Sequence, residues 1–281
     1  MEDALAVVRA LDQNQFGNPY GLVLWCLYKR LSVACYQHES FSSFERWLDS
    51  VRERREAIIT TNYDTLVESA HAYIPPDGRY ECLHCLDFGV RKERIHKFLY
   101  ERAWPDAAES SILYLKLHGS ITWLFCERCG KYGLDPIWEN AWESTVLSKL
   151  YPPCPECKQK ETRRIVFIPP LNHKELRDDG IEDIWNVAKR TLQDAREIVF
   201  AGFSLSENDA AVRNLLTMAF KQGNTKLVTV VDPKTASIRD NYKSVYGDLV
   251  QFNPTTWKDY LAARFCLDKP QMQVREGENA L

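Results

Sequence analysis

Three groups of residues have the types and spacing that chemistry needs. Asn62 and Asp64 follow Ile58-Ile59-Thr60-Thr61, so a short buried strand delivers an amide and a carboxylate just past its end. His118 follows Leu113-Tyr114-Leu115-Lys116-Leu117 in the same way, with Gly119 beside it. An imidazole placed there can accept or give a proton near neutral pH. Cys126-Glu127-Arg128-Cys129 and Cys154-Pro155-Glu156-Cys157 are two knuckles, each holding two thiolates on one tight turn. Together they supply the four sulfurs of a tetrahedral zinc site, and four protein ligands leave no open position. Such a metal serves folding rather than catalysis.

Plainer alternatives stand beside each group. Asn62 or Asp64 can cap the helix that begins at Asp64-Thr65-Leu66, because both residue types are favoured there. His118 can be a hydrogen-bonded core residue, and the four thiols can remain without metal. A third pair, Cys82 and Cys85, supplies only two ligands. His71, His84 or His96 can complete a second metal site with it, or the two cysteines are ordinary buried side chains.

The elements that must position these groups alternate between strand and helix from residue 57 onward, which predicts an α/β fold with a Rossmann-like, doubly wound parallel sheet. Helices are expected before it. Ser42 and Glu45 form a capping box, and Phe44, Trp47, Leu48 and Val51 share one helical face. Pro75-Pro76-Asp77-Gly78 reads as a turn. After the knuckles, Ile165 to Pro170 is expected to return to the main sheet. Ile181, Ile184, Trp185, Ala188 and Leu192 then line a long amphipathic helix. Glu197 to Ser204 and Lys226 to Pro233 are strands, followed by a short strand at Leu249–Phe252, a helix at Trp257–Phe265 and a loose polar tail from Leu267. Residues 1–119 and 165–281 would form one discontinuous body, with residues 120–164 as a small zinc-ribbon insertion. Trp138 and Trp142 lie between the knuckles and can cover the ribbon or meet a partner.

The chain has 281 residues, 45% of them hydrophobic, enough for a sizeable core. A formal net charge of -3 offers no general attraction to nucleic acid, and direct nucleic-acid binding is not expected. The apolar run from Leu22 to Tyr28 is far shorter than the roughly 20 residues that span a bilayer, and the start lacks a basic leader. A cytoplasmic protein without membrane contact is expected. Six of the nine cysteines fall in Cys-x-x-Cys pairs, which in a reducing compartment favours metal over disulfides.

Taken in order, the Thr-Thr-Asn-Tyr-Asp strand end, the Leu-His-Gly-Ser strand end, the two knuckles and the segment Gly202-Phe203-Ser204-Leu205-Ser206-Glu207-Asn208-Asp209-Ala210 resemble the sirtuin family. The resemblance covers residues 40 to 260. It implies NAD as substrate and a structural zinc ion. It also implies roles: Asn62 orients a water or the ribose, Asp64 contacts the nicotinamide amide, and His118 is the general base. Thr61, Gly202, Phe203, Ser204 and Asp209 would line the dinucleotide, with Ser204 and Asp209 on ribose hydroxyls. Asp232, at the end of a later strand, sits where such folds receive the adenosine half, although Asp232-Pro233 also reads as a plain turn. The family's opening strand and Gly-rich phosphate loop have no counterpart, since the twelve glycines include no G-x-G-x-x-G. The activity implied is an NAD glycohydrolase of bacterial anti-phage defence, working with a protein partner or as a homo-oligomer. An NAD-dependent deacylase and a catalytically inactive scaffold subunit are the alternatives.

Overall fold

A computed structural model describes residues 41–64, 67–68, 86–96, 112–134, 153–159, 163–167 and 179–265. Outside these lie the expected helices before residue 41, the turn at 75–78, His71, His84, Cys82 and Cys85, Trp138 and Trp142, the prolines after Ile168, and the tail from Leu267.

Helix α1 (Phe41–Glu53) enters strand β1 (Ala57–Thr60). Leu48 and Val51 of α1 are buried as its periodicity predicts, while Trp47 meets Trp257 edge-on at 5.5 Å. β1 pairs in parallel with β3 (Ile112–Lys116), and β3 pairs in parallel with β2 (Leu86–Asp87) on its other side. The central position of β3 explains its almost unbroken burial, because a parallel strand is covered on both faces.

The antiparallel sheet comes next. β4 (Gly119–Cys126) lies between β5 (Lys131–Leu134) and β6 (Arg163–Phe167). Residues 163–167 therefore do not return to the main sheet as their apolar pattern suggested. A short apolar run reads alike in either kind of sheet, and here it pairs with β4 from Gly119↔Phe167 to Cys126↔Arg163. Gly119 permits that approach. Its φ is +76°, and a Cβ there would stand 2.2 Å from the Val166 carbonyl oxygen. Gly119→Ala is expected to cost about 2–4 kcal/mol through backbone strain and overpacking. Urea denaturation will show this, and a loss below about 1 kcal/mol would refute it.

Helix α2 (Asp179–Asp194) carries the expected face, with Ile181, Ile184, Trp185, Ala188 and Leu192 all buried. It leads to a second parallel sheet of β7 (Glu197–Ala201), β8 (Leu227–Val231) and β9 (Val250–Asn253), with β8 central. Helix α3 (Ala210–Gln222) connects β7 to β8, and α4 (Thr235–Tyr246) connects β8 to β9. Helix α5 (Trp257–Phe265) follows β9.

The strand–helix order and parallel pairing fit a Rossmann-like α/β fold. Instead of one continuous sheet, the described strands form two parallel sheets of three strands each. Both run their carboxyl ends into the segments that carry the candidate site. One core cluster joins residues of the first sheet (Leu115), the antiparallel sheet (Trp123, Tyr132), α2 (Ile184) and the second sheet (Val230). Among the described residues no helix is long and apolar enough to cross a membrane.

Candidate active site and metal cluster

The turn after β1 is held from below by β3 and β4. Thr60 Oγ1 accepts the Asn62 N–H at 3.0 Å, and Ser120 Oγ donates to the Tyr63 carbonyl at 3.5 Å. The Lys116 ammonium donates to the Asp64 carbonyl and contacts Glu68 Oε1 at 2.9 Å. Lys116 and Glu68 are both fully buried, and the Tyr114 hydroxyl donates to Glu68 Oε2 at 3.2 Å. Burial pushes the Glu68 carboxyl above its ordinary value, against the opposing pull of Lys116. A charged pair is thus buried directly under the Asn62–Asp64 turn, where it ties the turn to β3.

His118 is fixed from three directions. The preceding Leu117 donates its N–H to the Thr60 carbonyl at 2.9 Å and receives the Trp185 indole N–H on its own carbonyl at 2.8 Å. The Tyr63 ring stacks over the imidazole at 5.8 Å. Asp209 Oδ2 lies 3.0 Å from His118 Nε2, with both side chains almost wholly buried. Asp209 is also the N-cap of α3, its Oδ1 accepting from the Val212 N–H at 3.4 Å. One carboxylate therefore joins the end of the first sheet to the helix that follows β7. Asp209 was expected on a ribose hydroxyl, and only its place at the start of a helix, where Asp is favoured, was legible. The partnership with His118 was not, because nothing in the local sequence around Asp209 points to a residue so distant in the chain.

The Gly202–Leu205 loop turns through positive φ at Gly202 (60°) and Leu205 (49°). Side chains from α3 and α4 hold its carbonyls in place. Tyr242 donates to Phe203, Asn241 to Ser204 at 3.0 Å, and Arg213 to Leu205 at 3.2 Å. Burial keeps the Tyr242 phenol far above its usual range, so it remains a neutral donor. Asp232 accepts the Lys234 N–H on Oδ1 at 2.6 Å, which is the turn geometry that Asp-Pro favours. It sits next to the loop, whose Gly202 N–H donates to the Val231 carbonyl at 3.1 Å. Asn62, Gly202 and Ser204 are exposed, whereas Thr61, Asp64, Phe203 and Asp232 are half-buried. The candidate residues thus line the carboxyl ends of four parallel strands, the place where open α/β sheets receive ligands. The contact between His118 and Asp209 draws the two groups of strand ends together.

The four cysteines of the knuckles converge, with all four sulfurs within 4.8 Å of one another. Each knuckle closes the same way. The residue after the second cysteine has positive φ, Gly130 (64°) and Lys158 (61°), and donates its N–H to the carbonyl of the first cysteine at 2.8 and 2.9 Å. Cys126 and Cys157 are 3.6 Å apart at sulfur, and Cys129 and Cys154 are 3.7 Å apart. These separations are too long for disulfides and close to the edge of about 3.8 Å for a tetrahedron with metal–sulfur bonds of about 2.3 Å. Burial and the neighbouring thiols push Cys129 up to about 12, so a cation must displace protons to bind. The cluster can hold a metal ion. Lys131 of β5 bridges the knuckles with a 2.8 Å contact to Glu156.

A groove of about 580 Å³ runs along α2 past Gly89, Arg91, Asp183 and Arg190, and none of the candidate residues lines it. Residues 56–248, more than half of the chain, match the family described as a SIR2-like domain. No curated protein matches the chain.

Proposed function

This chain belongs to the SIR2-like domain family, and we propose that it hydrolyses NAD at the nicotinamide–ribose bond. The observation that carries the proposal is the buried contact of 3.0 Å between His118 Nε2 and Asp209 Oδ2. A carboxylate on one ring nitrogen fixes the tautomer and makes the other nitrogen the base. In the reaction the bond between C1′ and the nicotinamide nitrogen breaks, and nicotinamide leaves neutral with the bonding pair. A water oxygen bonds to C1′, and its proton passes to His118 Nδ1. Asn62, exposed at the end of β1, orients that water or the ribose, and Asp64 meets the nicotinamide amide. Thr61, Gly202, Phe203 and Ser204 form the dinucleotide wall, with Asp232 toward the adenosine. Asp209 acts through His118 instead of on a ribose hydroxyl. The setting we propose is anti-phage defence, with a partner subunit or a homo-oligomer.

We also assign zinc to the four-cysteine cluster, since four thiolates in a closed tetrahedron suit that ion. When bound, zinc cross-links the two knuckles. Freshly purified protein is expected to contain about one zinc per chain by elemental analysis, and Cys154→Ser less than about half of that. Clearly substoichiometric zinc in the unaltered protein would refute the assignment.

The activity is tested by incubating the protein with NAD, alone and with candidate partners, and separating the products. Nicotinamide and free ADP-ribose should appear in equal amounts, independent of any acylated peptide. Turnover that requires an acetyl-lysine peptide would make the chain a deacylase. Absence of turnover in every mixture would make it a scaffold subunit.

A further inference from the structure

His96 stands outside the dyad, yet its ring is fully buried against the cysteine cluster. Its Nε2 lies 3.6 Å from Cys154 Sγ, and its Nδ1 lies 3.6 Å from Glu156 Oε1. The backbone fixes this placement. The His96 N–H donates to the Tyr132 carbonyl at 2.9 Å, and Ile95 bridges to the same residue of β5. We propose that His96 is an outer-sphere residue of the metal site, its Nε2–H donating to the Cys154 thiolate when the ion is bound. The proposal rests on the zinc assignment above.

Four thiolates around one divalent ion carry a net charge of minus two. Cys126 and Cys154 are both fully buried while Cys129 and Cys157 are half-buried, so water does little to spread the charge on the first two sulfurs. A donor N–H on sulfur does, and such partners orient ligands and slow metal loss. Because the cysteines already close a tetrahedron, the imidazole has no coordination site to fill and serves as a donor. Its origin adds a second consequence. His96 lies on the segment that follows β2, and this segment grips α2 through Arg91 and Arg94 on Asp183 at 2.9 and 3.6 Å. The cluster is therefore tied through His96 to the helix whose Trp185 supports His118.

The test uses zinc-loaded protein and a colorimetric chelator. His96→Leu should release zinc about 10–100-fold faster than the unaltered chain. His96→Gln, which keeps an N–H donor, should fall between them. Release of zinc from His96→Leu at the unaltered rate would overturn the proposal. Two measurements need no variant and remain decisive if His96→Leu does not fold. Nitrogen NMR of the zinc-loaded chain should show hydrogen on Nε2 of His96, and an unprotonated Nε2 would overturn the donor role. The cobalt-substituted protein should give the spectrum of four sulfur ligands, and a spectrum of three sulfurs and one nitrogen would make His96 a ligand and refute the outer-sphere assignment. Failure of the zinc assignment is read separately, as absence of stoichiometric zinc from the unaltered protein.

Discussion

Lys116→Met will destabilise the fold by about 3–5 kcal/mol at neutral pH, because it leaves the Glu68 carboxylate buried without its cation. Both groups are fully buried 2.9 Å apart, so no solvent can take the place of the lost ammonium. Methionine fills much of the volume, which separates the charge effect from a cavity effect. The sign with pH follows from Glu68, whose folded-state pKa already lies above its ordinary value of 4.5 through burial. Loss of Lys116 raises it further. A raised carboxyl favours the fold below about pH 4.5 and ceases to do so as pH climbs through the folded value. The defect should therefore shrink toward pH 4.5 and grow toward neutrality in urea titrations. Lys116→Met combined with Glu68→Leu should recover most of the loss, since replacing a whole buried pair is far cheaper than breaking it. A loss under about 1 kcal/mol, or one independent of pH, would contradict this account of the pair.

Asp209→Asn will lower kcat for NAD cleavage by about 10²–10⁴-fold and leave the fold intact. Asparagine caps a helix as well as aspartate does, so the start of α3 survives. What changes is the partner of His118 Nε2, which loses its negative charge and its preference for the tautomer that leaves Nδ1 basic. KM should move little, because the carboxylate acts through the imidazole rather than on the substrate. Asp209→Ala should add about 1 kcal/mol of destabilisation from the lost cap. A kcat within about threefold of the unaltered chain for Asp209→Asn would reduce Asp209 to a capping residue.

The elements that carry the site were legible because their signals are local. Apolar runs ending in Asn62, His118 and Gly202 mark strands that deliver side chains past their ends, and Ile181 to Leu192 reads as one helical face. The knuckles announce their turns and their converging thiols in four residues each. Contacts made across the chain left no such trace. Lys116 reads as a polar interruption of a strand, and only folding brings Glu68 beside it. Residues 163–167 look equally suited to a parallel or an antiparallel neighbour, so their pairing with β4 could not be read from composition. His96 was weighed as a ligand for a second metal with Cys82 and Cys85, whereas its ring lies against Cys154. Asp209 was expected to meet a ribose hydroxyl, whereas its Oδ2 faces His118.

The proposed cleavage of NAD turns on His118 held by Asp209. Its most direct measurement is the rate of nicotinamide release from NAD by the zinc-loaded protein, compared with that of His118→Ala under identical conditions. Steady release by the unaltered chain is expected, with a loss of about 10²-fold or more in the variant while NAD still binds. Equal rates in the two proteins would contradict the proposal.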